Sequence, residues 1–309
     1  MNKRIPPVLS IGFPVYNGGR FTALALESIL AQKFGDFEII ISDNASTDET
    51  REVCESFAAK DRRIIYRRNH TNLGAAKNFN TVYYLSSGKY FKWMANDDIY
   101  DPDWVLECLN VLKKDSSVVL CHTKTKRIDE NGDTIGHYGL VLRSDSKDPV
   151  TRFSELVLIK HACFQIFGIM RKEVLKKTNI FGAYAGADRV LLAEMGLWGR
   201  HYEVPSFLFL RRSHSHESRR LYPERNTRVA WFDPSRASRI AFSEWRMLKE
   251  YYLAVNRSPL SQYERVKCYA VLGKMFKRDW RGFAHDIKSA GLQIMNHSSA
   301  HAAEALGGK

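Results

Sequence analysis

The run Lys92-Trp93-Met94-Ala95-Asn96-Asp97-Asp98-Ile99-Tyr100 sets two adjacent carboxylates just after a short apolar stretch with the character of a strand. An open α/β sheet takes its ligands beyond the carboxyl ends of its strands. Mg²⁺ and Mn²⁺ prefer carboxylate and phosphate oxygen, so the pair is a candidate cation site. Its neighbours need no such role. Asp101-Pro102-Asp103-Trp104 reads as a helix start, with Asp101 as N-cap, Pro102 at the first helical position and Asp103 in the first turn. Adjacent Asp residues also serve simply as turn residues, but the helix start leaves Asp97 and Asp98 unexplained.

Two earlier loops follow apolar runs in the same way: Pro14-Val15-Tyr16-Asn17-Gly18-Gly19-Arg20, and Ser42-Asp43-Asn44-Ala45-Ser46-Thr47-Asp48-Glu49. Ser46 and Glu49 have capping-box spacing, which helix initiation explains. Asp43 sits directly at the strand end and has no such account. Gly18-Gly19 lacks both the Lys-Ser/Thr of a phosphate loop and the G-x-G-x-x-G fingerprint, which argues against a P-loop NTPase and a dinucleotide enzyme.

These loops need a sheet to carry them. Strands are expected at Val8 to Pro14, Phe37 to Ser42, Ile64 to Arg67, Tyr90 to Met94 and Val118 to His122, alternating with helices near 20–32, 48–59, 75–86 and 102–114. The continuous Ile39-Ile40-Ile41 suits a strand covered on both faces. The fold class is therefore α/β, with a Rossmann-like, mostly parallel central sheet and helices on both faces. At Asp129-Glu130-Asn131-Gly132-Asp133 a hairpin turn opens a second region, because Asn-Gly supplies positive φ angles. That region holds a strand at Gln165 to Met170, a helix over 187–197 and a strand at Ser206 to Leu210. Beyond Pro234 the chain reads as helical: Ala241, Trp245, Leu248, Tyr252 and Val255 recur at helical spacing, as do Val266, Tyr269, Gly273, Phe276, Trp280, Phe283 and Ile287. The Ala-, Gly- and Ser-rich stretch from Asn296 to Lys309 reads as a frayed, disordered tail.

With 309 residues, 44% of them hydrophobic, the chain can bury a full core. Its 47 Lys and Arg against 34 Asp and Glu leave a net charge of +13, which suits anionic partners. Five Cys without a C-x-x-C pair read as reduced, packed thiols. Pro6, Pro7 and Pro14 interrupt the signal-peptide-like start, and no apolar run reaches the roughly 20 residues of a bilayer span. The expected location is cytoplasmic.

The four motifs Pro14-Val15-Tyr16-Asn17, Asp43-Asn44-x-Ser46-x-Asp48, Asn72-Leu73-Gly74 with Lys77-Asn78, and Asn96-Asp97-Asp98, in this order, resemble those of the family 2 glycosyltransferases with the GT-A fold. The resemblance covers about residues 6–215. It implies a GT-A domain over 1–232, with a nucleotide-binding half over 6–125 and an acceptor-binding half over 126–232, followed by a C-terminal helical extension over 233–295. It also implies a metal-dependent, inverting transfer of a sugar from a UDP- or dTDP-linked donor to a hydroxyl of a glycan or glycolipid.

Carried over residue by residue, the resemblance implies that Pro14, Tyr16, Asn17 and Asn72 line the nucleotide pocket. Asp43 would accept a hydrogen bond from the pyrimidine ring, and Lys77 would lie near base or phosphate unless it is only a solvated helix residue. Asp98 would hold Mn²⁺ or Mg²⁺, and Asp97 would face ribose or donor sugar. Asn96 departs from the family, where many relatives carry a third Asp. Asp188, in Gly186-Ala187-Asp188-Arg189, would be the general base, its alternative being a helix-start residue. In Arg211-Arg212-Ser213-His214-Ser215-His216 the resemblance implies that Arg212 neutralises the diphosphate and His214 completes the metal shell, with His216 as competitor.

The aromatic stripe and basic residues of the C-terminal helices allow two readings, packing on the catalytic domain or docking on an anionic membrane surface at the inner face. The competing overall readings are a non-catalytic relative that binds nucleotide, and a nucleic-acid binder. Retention of Asp43, Asp98 and Asp188 argues against the first, and the lack of any nucleic-acid motif argues against the second.

Overall fold

The strand Leu9–Val15 (β1) is buried at every position, as is Phe37–Asp43 (β2), so both need cover on each face. The computed structural model, which describes residues 5–222, 225–236 and 242–307, supplies it. Helices Phe21–Leu30 (α1), Thr50–Lys60 (α2) and Ala75–Leu85 (α3) alternate with β1, β2, Ile64–Arg68 (β3) and Tyr90–Trp93 (β4). Next come Ile99–Tyr100 (β5), Trp104–Lys114 (α4), the long strand Val118–Ile128 (β6) and its hairpin partner Thr134–Tyr138 (β7). The sheet order is β3-β2-β1-β4-β8-β6-β9-β5, with β7 on β6; β8 is Ile169–Arg171 and β9 is Arg200–Arg212. The β1–β2, β2–β3, β1–β4 and β6–β9 pairs are parallel, whereas β8 runs antiparallel to both β4 and β6. The resulting α/β architecture is mostly parallel, with the carboxyl ends of β1, β2 and β4 at one edge.

Several local expectations differ from the structure. The stretch Gln165 to Met170 is not one strand: a 3-10 helix at Phe164–Phe167 precedes β8. Cys163 enters that turn at φ 59°, and a side chain at Gly168 would meet the Cys121 carbonyl at 2.7 Å. Ser46 and Glu49 form no capping box, because the Ser46 hydroxyl accepts from Asn17 N at 2.9 Å and α2 begins at Thr50. Helix α4 begins at Trp104; Asp101 instead ties the preceding turn by accepting from Asp103 N at 3.0 Å. Within the β6–β7 turn Gly132 has φ 98°, and Asp129 Oδ1 accepts from both Asn131 N and Asp133 N at 2.9 Å.

Helix Pro149–Leu158 (α5) lies where no helix was expected. Its start is nonetheless written in Asp148-Pro149: Asp148 accepts from Val150 N and Thr151 N while proline takes the first helical position. Short Lys172–Leu175 (α6) and Ala187–Trp198 (α7) follow, then Ser218–Leu221 (α8), Arg225–Phe232 (α9) and Ser243–Arg257 (α10). The last helix, Gln262–Gly307 (α11), has a kink at Asp279 and continues through the stretch where fraying was expected. Ala241 lies outside the described residues. Tyr251, Val255, Val271, Met275 and Phe283 join the same core as Phe153, Leu156 and Leu191. The C-terminal helices thus pack on α5 and α7 instead of standing apart. All five cysteines are free and buried.

Candidate active site

A cavity of about 1090 Å³ opens where the loops after β1, β2 and β4 converge, and Tyr16, Asn17, Asn44, Asn72, Asp97 and Asp98 are among its walls. Pro14 lines it too, from inside β1. The first two loops are laced together by hydrogen bonds. Asn17, in the left-handed region at φ 50°, accepts from Thr47 N at 2.9 Å, and Gly18 N donates to Thr50 Oγ1 at 2.8 Å. Gly18 is required by space, since a Cβ there would lie 2.7 Å from Asn96 Nδ2 and closer still to Thr22 Oγ1.

Four asparagines extend the lacing to the third loop. Asn44 Nδ2 donates to Asn72 Oδ1 at 2.8 Å, Asn44 Oδ1 accepts from Asn69 Nδ2 and Leu73 N, and the Asn78 side chain accepts from the Ser42 hydroxyl and donates to the Ser42 carbonyl. Asp43 lies behind this wall, wholly buried. Its carboxylate accepts from Ser46 N at 2.8 Å, Tyr66 OH at 2.9 Å and Arg68 Nη1 at 2.7 Å. Tyr66 and Arg68, at the end of β3, are supports of Asp43 that the motif pattern alone misses, and none of the three is among the walls of either cavity. Lys77 is exposed on α3 and does not line the cavity.

On the opposite wall β9 delivers two arginines of different use. Arg212 is 1% exposed, and its guanidinium donates to the carbonyls of Asp97, Asp129 and Glu130, each at 3.0 Å. It also lies over the Phe21 ring at 4.8 Å, and its backbone N donates to Asp98 Oδ1 at 3.0 Å. The arginine expected to face a diphosphate clamps backbone carbonyls and is absent from the walls of the first cavity, although it lines the adjoining one. Arg211 takes the cavity wall, 3.4 Å from Asp98 Oδ1 and 3.0 Å from Glu217 Oε2. The difference follows from strand geometry, since successive side chains leave on opposite faces.

His214 also lines the cavity, with Nε2 2.9 Å from Asp97 Oδ2 and its ring centroid 4.8 Å from that of Phe21. His216 lines the cavity as an exposed residue, 3.1 Å from the Ser215 hydroxyl. Burial pushes the Asp98 carboxyl up to about 7, against the lowering pull of Arg211 and with a further push from Asp97. Burial acts upward on Asp97 as well, but the His214 hydrogen bond and the Arg211 charge prevail and hold it below the usual carboxylate range.

These donors can be tested against a cation. Asp98 Oδ2 is buried with no hydrogen-bond partner among the described residues, an arrangement that costs free energy unless something binds there. No three His, Cys, Asp or Glu side chains among the described residues are grouped to hold a metal ion by themselves. The residues therefore fit a hard divalent ion that takes part of its oxygen shell from a bound phosphate, as Mg²⁺ commonly does.

Asp188 lies in an adjoining cavity of about 550 Å³ that shares Phe79, Arg211, Glu217 and Trp231 with the first. It sits in the first turn of α7, just after Gly186 at φ 87°, and its Oδ1 accepts from Arg189 N at 2.9 Å. Arg189 is held in turn by the His161 and Ile159 carbonyls. Trp231, on α9, forms a wall common to both cavities; no motif in the sequence singles it out.

The family model for glycosyl transferase family 2 matches residues 10–178, and the chain belongs to that family. An uncharacterised glycosyltransferase of Rickettsia prowazekii (strain Madrid E) is 29% identical over 213 residues, 66% of this chain and 61% of the relative. Chondroitin synthase of Escherichia coli is 33% identical over 135 residues, 44% of this chain and 19% of the synthase. The chain thus spans less than two thirds of these curated relatives. Among solved structures, TarS 1-349 of S. aureus in complex with UDP-GlcNAc superposes with a TM-score of 0.63 at 16% identity, covering 88% of this chain and 72% of that one. A mannosyltransferase from Pyrobaculum calidifontis, in complex with GDP-Man and Mn²⁺, gives 0.52 at 16% identity over 94% and 88%. These neighbours share the GT-A type α/β fold.

Proposed function

We propose that the protein transfers a sugar from a nucleotide-diphosphate donor, UDP- or dTDP-linked, to a hydroxyl of a glycan or glycolipid, with inversion at the anomeric carbon. The observation that carries this reading is the meeting of two cavities at Arg211 and Trp231, one walled by Asp97 and Asp98 and the other by Asp188. A donor in the first would present its anomeric carbon toward an acceptor in the second. UDP-GlcNAc in the TarS complex and GDP-Man in the mannosyltransferase complex support a nucleotide-sugar donor.

In this mechanism the carboxylate of Asp188 takes the proton of the acceptor hydroxyl as its oxygen bonds to the anomeric carbon. The bond from that carbon to the diphosphate oxygen breaks on the opposite face, and the electron pair leaves with the nucleoside diphosphate. Arg211 supplies a fixed positive charge beside that leaving group. Arg212 holds the Asp97 loop in place. Tyr16, Asn17 and Asn72 bound the nucleotide, Asp97 and His214 act as a pair facing ribose or sugar, and Asp43 organises the pocket floor through Tyr66, Arg68 and Ser46. A Mn²⁺ or Mg²⁺ ion held by Asp98, with His214 as the second candidate, would lower the charge on the diphosphate when bound. Residues 6–125 form the nucleotide half, 126–232 the acceptor half and 233–295 the helical extension.

Thermal shifts with UDP, dTDP and GDP, each with and without Mn²⁺, test the donor. UDP or dTDP with Mn²⁺ should raise the melting temperature most, and no shift with any nucleotide would refute the site. Asp188→Asn should leave that shift unchanged and abolish transfer. A mutant that still transfers sugar would remove Asp188 as base.

A further inference from the structure

Helix α11 carries two columns of outward residues that packing does not use. Val266, Gly273, Trp280 and Ile287 recur every seven residues, and Lys267, Lys274, Arg281 and Lys288 recur at the same interval one position on. Seven residues is nearly two turns, so Val266 and Gly273, with Lys267 and Lys274, share one side before the kink at Asp279, and Trp280 and Ile287, with Arg281 and Lys288, share one side after it. All eight are exposed, Val266 at 64%, Trp280 at 55% and Ile287 at 57%. Tyr263, one turn before Lys267, is 70% exposed. The core face of this helix is a separate set, Cys268, Val271, Leu272, Met275 and Phe283. The exposed apolar column is therefore not the margin of the packed one.

Charge along this helix is mostly basic, with Asp148 and Glu264 lying near Lys267. Between Gln262 and Gly291 there are seven Lys and Arg against three acids, and each acid is engaged elsewhere. Glu264 accepts from Ser261 N and Oγ, Asp279 pairs with Arg278, and buried Asp286 accepts from Glu244 N at 2.8 Å. Lys274, Lys277 and Lys288 have no ion-pair partner among the described residues.

We propose that the Gln262–Lys288 face of α11 is a docking surface for an anionic lipid bilayer. The basic column would meet phosphate headgroups, while Val266, Trp280 and Ile287 would enter the headgroup–acyl boundary. Trp is suited to that boundary because its ring is apolar and its N–H can stay solvated. A second copy of the chain fits the face less well. Paired faces would set like charges together, and Gly273 leaves a gap where a coiled coil needs a knob. The surface is separate from the two cavities and depends on no reading of the reaction.

The test is co-sedimentation of the whole protein with vesicles of phosphatidylcholine alone and with added phosphatidylglycerol, at low and high salt. Binding should require phosphatidylglycerol and weaken sharply with salt. The triple variant Lys274→Glu, Arg281→Glu and Lys288→Glu should bind these vesicles on the order of a hundredfold more weakly, at about fivefold for each charge lost. Trp280→Phe should remove the lipid-induced blue shift of tryptophan emission. Both variants should keep the wild-type melting temperature. Equal binding to neutral vesicles, or undiminished binding by the triple variant, overturns the proposal. So does a dimer in sedimentation equilibrium that Trp280→Ala dissolves, or binding to an oligonucleotide without binding to vesicles.

Discussion

Replacing Arg212 by Lys separates a clamp from a counter-charge. The buried guanidinium reaches three carbonyls from two nitrogens, Asp97 O from Nε and both Asp129 O and Glu130 O from Nη1. A lysine keeps the charge but offers a single nitrogen and no planar fork. It can serve one side of that arrangement, which leaves at least one buried carbonyl without its donor. Hydrogen bonds to charged groups contribute about 1.5–3 kcal/mol each, so losing one or two costs about 2–5 kcal/mol. Against a typical total of about 5–15 kcal/mol this is a large fraction, and the urea midpoint should fall by on the order of 1 M. Because the clamped Asp97 carbonyl sits beside Asp98, nucleotide affinity in the presence of Mn²⁺ should fall with it. Urea unfolding followed by far-UV circular dichroism, together with calorimetry of UDP binding, measures both. If the Lys variant unfolds at the wild-type midpoint and binds normally while an Ala variant loses only catalytic rate, Arg212 acts as a charge on the substrate and the clamp is wrong.

Three further outcomes follow from positions described above. Gly74→Ala should destabilise by about 2 kcal/mol or more, because φ is +82° and the new Cβ would lie 2.6 Å from the Phe232 carbonyl; a melting temperature within a degree of wild type would contradict this. Burial holds His201 down at about 3 and His122 at about 4, so both stay neutral in the folded chain while the unfolded chain takes up protons below about 6.5. Their contribution is complete above that pH and is lost as pH falls toward 4, at about 1.4 kcal/mol per pH unit for each. His201→Met should remove about one proton from that slope in denaturation at stepped pH, and an unchanged slope would exclude His201. Arg68→Met should weaken UDP binding through the Asp43 carboxylate, which would then keep only Tyr66 and Ser46 as partners; calorimetry showing wild-type affinity would remove Asp43 from the pocket's support.

The nucleotide half is the part most legible in the residues themselves. β1 and β2 are buried on both faces and so carry the apolar runs Ile11 to Val15 and Ile39 to Ile41, and the motif loops stand at their ends because that is where a parallel sheet exposes backbone. The pattern fails where pairing register decides. Arg211 and Arg212 are chemically equivalent neighbours, and only the path of β9 determines which enters the first cavity. The same holds for Tyr66 and Arg68, whose role depends on β3 pairing Arg68 beside Asp43. Trp231 reaches the site from α9, distant in sequence and without periodic signal. Helix α5 is a different case, since Asp148-Pro149 does announce its start in the residues.

The path of β9 has a consequence for how this chain can vary. Between the Thr123–Val204 and Lys124–Phe207 pairs, Pro205 and Ser206 lie opposite no residue of β6. Proline cannot donate to the ladder, so the irregularity is tied to the chemistry of that position. Downstream of it, a single deleted residue would bring Arg212 to the place Arg211 now holds on the cavity wall, and a single inserted one would bring Arg211 to the place of Arg212. Homologous strands should therefore accept substitutions along Phe209 to Arg212 more readily than any change of length. Length variation should gather at Pro205, Ser206 and Leu208, where the register is already broken.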